Sequence, residues 1–311
     1  MFVVSCTTIG DQEVDTDDGV NTYTHSGTEW DVTAIDNDGV ASITYSLSGS
    51  TTGEGEDSLA GVVFNLGVTT VTWTVTDNSD NSIECSYTVT VNDSEDPVFT
   101  LDCTTIGDQE VDTDDGVNTY AHSGTEWDVT AIDNDGVASI TYSLSGSTTG
   151  EGEDSLAGVV FNLGVTTVTW TVTDNSDNSI ECSYTVTVND SEDPVFTLDC
   201  TTIGDQEVDT DDGVNTYTHS GTEWDVTAID NDGVASITYS LSGSTTGEGE
   251  DSLAGVVFNL GVTTVTWTVT DNSDNSIECS YTVTVNDSED PVFASRVVLQ
   301  LAIKKLILMM A

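Results

Sequence analysis

One pattern constrains this chain above all others: a block of 97 residues occurs three times in succession, nearly unchanged. Cys6, Cys103 and Cys200 each open the run Cys-Thr-Thr-Ile-Gly-Asp-Gln-Glu-Val-Asp, and Cys85, Cys182 and Cys279 recur at the same interval. Inside the blocks one position differs, with Ala121 standing where Thr24 and Thr218 stand. A fixed period of this length means tandem modules, each large enough for its own core. Near-identity means that all three do the same job. The boundaries fall at 1–93, 94–190 and 191–287, leaving 288–311 as a linker and a non-repeat tail.

Each block alternates like a sheet. In Val71-Thr72-Trp73-Thr74-Val75-Thr76 the apolar side chains take the odd positions, and Cys85-Ser86-Tyr87-Thr88-Val89-Thr90-Val91 repeats the scheme. The turn formers Asp77-Asn78-Ser79-Asp80-Asn81 lie between them, so the pair reads as a hairpin. Ile43 to Leu47 and Trp30 to Ala34 give two more alternating strands, and Ser48 to Gly61 reads as a loop. No stretch has a capped helical period. The expected fold is all-β: three tandem immunoglobulin-like antiparallel β-sandwiches arranged as an extended string. The expected core is Trp30, Val32, Ile43, Tyr45, Phe64, Val71, Trp73, Val75, Tyr87 and Val89.

Composition then narrows the partners. The chain carries 56 Asp plus Glu against 3 Lys plus Arg, a formal net charge of −53. Such a polyanion repels nucleic-acid phosphates and acidic lipid headgroups, and it attracts hard cations such as calcium. All the acids lie at or before Asp290; Arg296, Lys304 and Lys305 lie in the acid-free segment Ala294 to Ala311. That segment is too short for a confident membrane span and reads as a foreign or mis-framed end outside the folded array. A membrane-surface helix is its alternative.

The run Gly61-Val62-Val63-Phe64-Asn65-Leu66-Gly67-Val68-Thr69-Thr70-Val71-Thr72-Trp73-Thr74-Val75-Thr76-Asp77, then Asn81, then Cys85 to Val91, resembles the hyalin-repeat (HYR) domain. Ala34-Ile35-Asp36-Asn37 is similar to that family's Asp-Asn segment, and Pro97 to its inter-domain proline. Two positions depart. Thr7, Thr104 and Thr201 replace the usual Pro, and Asp80, Asp177 and Asp274 replace the hairpin Gly. Asp tolerates left-handed backbone angles, so the turn is expected to survive. The resemblance implies an immunoglobulin-like fold and extracellular, adhesion-related roles, and no catalytic residue.

Three groups of side chains are candidates for chemistry. The cysteines of a module lie 79 residues apart, whereas zinc ligands come in close pairs, so a disulfide within each repeat is expected: Cys6–Cys85, Cys103–Cys182 and Cys200–Cys279. His25, His122 and His219 each precede a serine, but neighbours on a strand face opposite ways, so these histidines are expected to face solvent rather than activate Ser26, Ser123 or Ser220. The third group is the acidic junction Asn92-Asp93-Ser94-Glu95-Asp96-Pro97. Calcium is expected there on Asp93, Glu95 and Asp96, and on Asp190, Glu192, Asp193, Asp287, Glu289 and Asp290, against a plain solvated linker. Asp15 to Gly19 and Asp36 to Gly39 lack the Glu an EF-hand needs at its twelfth position. The Asp77 to Asn81 turn reads as an ordinary turn. Asn92, Asn189 and Asn286 head formal glycosylation sequons, a weak signal.

The functional expectation is a non-catalytic adhesin-type stalk or spacer, secreted or on the cell surface, with no organic cofactor. Its chain starts inside a repeat, so a signal sequence is expected upstream in a longer parent. Its partners would be neighbouring repeats and cell-surface proteins or glycans. Glycan- or protein-binding modules, or accessory repeats of a secreted enzyme, are the alternatives. An exposed Trp30 or Trp73 would favour sugar binding.

Overall fold

The computed structural model describes residues 5–291, so the expectation for the segment 294–311 lies outside the described residues. The middle repeat contains β1 (Val98–Leu101), the one-turn α1 (Cys103–Ile106), β2 (Gln109–Asp112), β3 (Thr119–Ala121) and β4 (Thr130–Ile132). It continues with β5 (Val137–Gly146), β6 (Gly150–Glu153), β7 (Val160–Asn162), β8 (Gly164–Asp174) and β9 (Ser179–Asn189). A five-stranded sheet has the order β6-β5-β8-β9-β2, and the ribbons β3–β7 and β1–β4 form the opposing layer. Asp102 caps α1 by accepting the Thr105 N–H at 2.7 Å.

The expected hairpin is β8–β9, with Val168 opposite Tyr184 and Trp170 opposite Cys182. Alternation buries Val168, Trp170 and Val172 on one side of β8 and leaves the intervening Thr half-buried. Tyr142 on β5 meets Trp170 edge to face, with ring centroids 5.3 Å apart. One pair departs from an antiparallel sandwich: β2 joins β9 in parallel. These strands stand at opposite ends of the module, and the whole intervening chain serves as the crossover that parallel pairing needs.

Seven of the expected core residues, Trp30, Val32, Phe64, Val71, Trp73, Tyr87 and Val89, are buried, while Ile43, Tyr45 and Val75 are half-buried at the margin. Two elements differ from expectation. The stretch from Trp30 does not start as a strand: Trp127, its counterpart, sits in a turn, and β4 begins at Thr130. The reason is Asp128, whose Oδ1 accepts the buried Leu156 N–H at 2.9 Å and whose Oδ2 takes the Ser155 hydroxyl. That clamp satisfies loop backbone with a side chain instead of a ladder. Within the loop expected over Ser48 to Gly61, Gly53–Glu56 forms an edge strand, and Tyr45 covers Gly55 opposite it.

The chain divides into two compact units. The first contains the residues up to Asn189 except 113–118, and so two five-stranded sheets of this order; the second contains 113–118 and the residues from Asp190 onward, with one.

Candidate functional site

Each module closes its own disulfide, Cys6–Cys85, Cys103–Cys182 and Cys200–Cys279, with Cα atoms 5.7 Å apart in every case. Closing a loop of this length removes about 4.5 kcal/mol of freedom from the unfolded chain in the entropic model. The bond ties the α1 turn to the strand bearing Cys182, beside Trp170.

The histidines correct an expectation. His25 does not face solvent: it is fully buried, and its ring stacks on Trp30 with centroids 3.9 Å apart and planes 6° from parallel. His122 and His219 are placed alike on Trp127 and Trp224. The Trp30 turn folds its indole back over the residue that follows the strand Thr22–Thr24, which strand alternation could not reveal. Neither nitrogen of His25 makes a hydrogen bond of ordinary geometry, and the Gly27 backbone offers it only a weak one. Burial therefore pushes its pKa down, against the pull of Glu29 and Asp31.

At the junction of the first two repeats the expected trio separates. Glu95 turns back on the first repeat and accepts the Gly19 N–H at 2.8 Å, and Asp96 is exposed. Glu192 and Glu289 do the same with Gly116 and Gly213, Asp193 and Asp290 are exposed, and so is Asp287. Asp93 goes the other way. It is 7 % exposed and meets Asp133 and Asp174, with one oxygen from each within 4.8 Å of the others. In the second unit Asp190, Asp230 and Asp271 form the same group.

The strand period explains the meeting. Tyr87, Val89 and Val91 face inward, and Asp93 is the next residue in that phase; Val168, Trp170 and Val172 lead likewise to Asp174. Ala131 and Asp133 share the inner phase of β4. Each aspartate thus extends an apolar row past the end of a core. Asp133, Asp174, Asp230 and Asp271 were legible by that rule, although turn chemistry made Asp174 and Asp271 look ordinary and the missing EF-hand Glu set aside the segment of Asp36, the counterpart of Asp133 and Asp230. The middle-repeat residue is covered by its neighbour: Asp174 is 1 % exposed, while its first-repeat counterpart Asp77 is half-buried.

Backbone and side-chain donors hold the group. Asp133 Oδ1 accepts the Asp135 and Gly136 N–H groups, and Asp174 Oδ1 those of Ser176 and Asn178. Asp93 Oδ1 takes Asn134 Nδ2 at 3.1 Å, Thr16 Oγ1 and Glu95 N, while its buried Oδ2 has no partner. Asn134 Nδ2 also reaches Val20 O, and its own Oδ1 is buried without a partner. Asn178 Nδ2 meets the Asp93 carbonyl at 3.2 Å, linking the repeats. Two carboxylates at such separation repel by roughly 3–4 kcal/mol at an effective dielectric of about 20. In the second unit burial, reinforced by the charges of Asp190 and Asp271, raises the pKa of Asp230. The sequon residue Asn92 is engaged as well, donating to Glu13 Oε1 at 2.8 Å.

The HYR domain model matches residues 30–91, 127–188 and 224–285. Hyalin of Strongylocentrotus purpuratus is 35% identical over 244 residues, which is 75% of this chain and 17% of that relative's length. Among solved structures, mouse cadherin-23 EC22-24 covers 89% of this chain and 96% of its own at 20% identity, with a TM-score of 0.31. Drosophila N-cadherin EC1-3 covers 89% and 98% at 16% identity, with a TM-score of 0.33. Scores this low lend nothing to the reading of the junction. The repeat-by-repeat match is another matter: with all three modules recognised in register, the chain belongs to the HYR domain family.

Proposed function

We propose that this chain is a stretch of a secreted or cell-surface protein in which HYR modules serve as non-catalytic, adhesion-related spacers with cation-stiffened junctions. The observation that supports this best is the burial of both tryptophans of each module, Trp30 at 5 % and Trp73 at 0 % exposure in the first. An indole that stacks on a sugar ring must stand clear of the core. The side chains best suited to a glycan are therefore spent on the fold, and sugar recognition through them recedes. A disulfide in every module suits an oxidising compartment. Three copies of one module add length without adding chemistry. Partners would be further repeats of a longer chain and cell-surface proteins or glycans met through the loops.

Small-angle scattering from chains of one, two and three repeats tests the spacer. Strands of this length, at ~3.3 Å per residue, should add roughly 30 Å to the maximum dimension with each repeat. A dimension that stops growing after the second repeat overturns the reading.

A further inference from the structure

We propose that Asp93, Asp133 and Asp174, joined by the side-chain carbonyl of Asn134, bind one calcium ion, and that Asp190, Asp230 and Asp271 with Asn231 bind a second. This names the ligands behind the stiffened junction proposed above, and it rests on that reading only for its mechanical consequence.

Acidic residues crowd together in any chain with this charge, so proximity alone carries no meaning. Burial does. Asp93 is 7 % and Asp190 8 % exposed, and in each the Oδ2 atom is buried with no hydrogen-bond donor. The neighbouring Asn134 and Asn231 each bury an Oδ1 that lacks a donor too. A buried carboxylate oxygen is costly unless something positive meets it. Lys and Arg cannot serve among the described residues, because all three lie beyond residue 291.

The donor set specifies the cation. It offers only oxygen, with no thiolate and no imidazole, which turns away zinc and favours a hard ion. Three carboxylates and an amide carbonyl on irregular turns suit calcium, which accepts six to eight oxygens in flexible geometry, better than magnesium with its strict octahedron. Asp133 and Asp174 are already oriented by the N–H groups of Asp135, Gly136, Ser176 and Asn178, each on an Oδ1 atom, the arrangement that fixes first ligands around an ion. Asp133 and Asp230 are only half-buried and leave a route inward. Since Asp93 comes from one repeat and Asp133 and Asp174 from the next, an ion here would tie the two together.

Calorimetric titration of the full chain with calcium chloride, beside equilibrium dialysis, should give two sites with dissociation constants of about 10⁻⁴ M or tighter. Asp133→Asn and Asp230→Asn should each remove one site, and the double variant both. Asn keeps the oxygen that accepts the turn N–H groups, and unchanged melting in chelator would establish that the modules remain folded. Asp36→Asn and Asp96→Asn should leave two sites. Undiminished uptake by the double variant overturns the proposal. So does equal competition by magnesium, or by sodium chloride of matched ionic strength, in the unsubstituted chain, since both outcomes mean diffuse screening. Scattering separates the two readings. Calcium bound at both sites without a narrower distribution of dimensions supports the sites and overturns stiffening. Narrowing that survives in the double variant overturns the sites and leaves stiffening intact.

Discussion

His25 is a titratable ring held face to face with an indole and closed off from water, so its protonation should be visible in stability. An unfolded imidazole takes up a proton below a pH of about 6.5. The folded ring resists until lower pH, because burial depresses its pKa. The unfolded state therefore binds more protons in the interval beneath about 6.5, and the stability present above that value is lost as pH falls through it. Between pH 7 and pH 5.5 the melting temperature of a chain with His25→Phe should consequently shift upward relative to that of the unsubstituted chain. Parallel curves for the two would show that the ring is hydrated in solution.

The β8–β9 hairpin is the longest paired element of the module, and its turn shows how a polar residue substitutes for glycine. Asp80, Asp177 and Asp274 adopt φ of 64°, 68° and 70°, the left-handed region. Asp reaches it because its short carboxylate tolerates the local geometry, whereas a β-branched side chain does not. The rest of the turn is tied by Asp174, whose oxygens accept Ser176 N, Asn178 N and Asn178 Nδ2. Asp177→Gly should be neutral or stabilise the module by up to about 1 kcal/mol, and Asp177→Val should destabilise it by about 1–2 kcal/mol. Denaturant melts of the three proteins check the order. If Val is as stable as Asp, the left-handed turn is not maintained in solution.

Taken as a whole, the chain is a polyanion with 56 acids and no Lys or Arg among the described positions, so self-repulsion opposes compactness. In chelator, the melting temperature should rise as sodium chloride is raised from about 10 mM to 500 mM, as the screening length falls from about 30 Å to under 5 Å. The acid limb has the opposite sign. Asp11, Asp108 and Asp205 each accept a backbone N–H from the last strand of their module, at Thr88, Thr185 and Thr282, and those hydrogen bonds hold their pKa values down. A depressed carboxylate contributes stability above its unfolded pKa of about 3.9, and that contribution is lost as pH falls through the folded value. Stability at low salt should therefore climb as pH drops from 7 toward about 4.5 and collapse below about 3.5. A melting temperature that declines steadily from pH 7 would mean that repulsion is minor.

Much of this protein was legible without coordinates. The 97-residue period gave the modules, two-residue alternation gave β5, β8 and β9, and two cysteines per module gave the disulfides. These are local or counting arguments, and a strand with one buried face writes its register into the chain. The parallel β2–β9 pair, the Asp128 clamp and the burial of His25 were not legible, because each depends on partners far away in sequence. The junction shows the division most sharply. Sequence reasoning grouped Asp93 with Glu95 and Asp96, its neighbours along the chain. Folding instead sends Glu95 to Gly19, leaves Asp96 in water and carries Asp93 inward to Asp133 and Asp174. Charge density is a property of the sequence, but which carboxylates share a desolvated space is set by the phase in which each strand leaves its core.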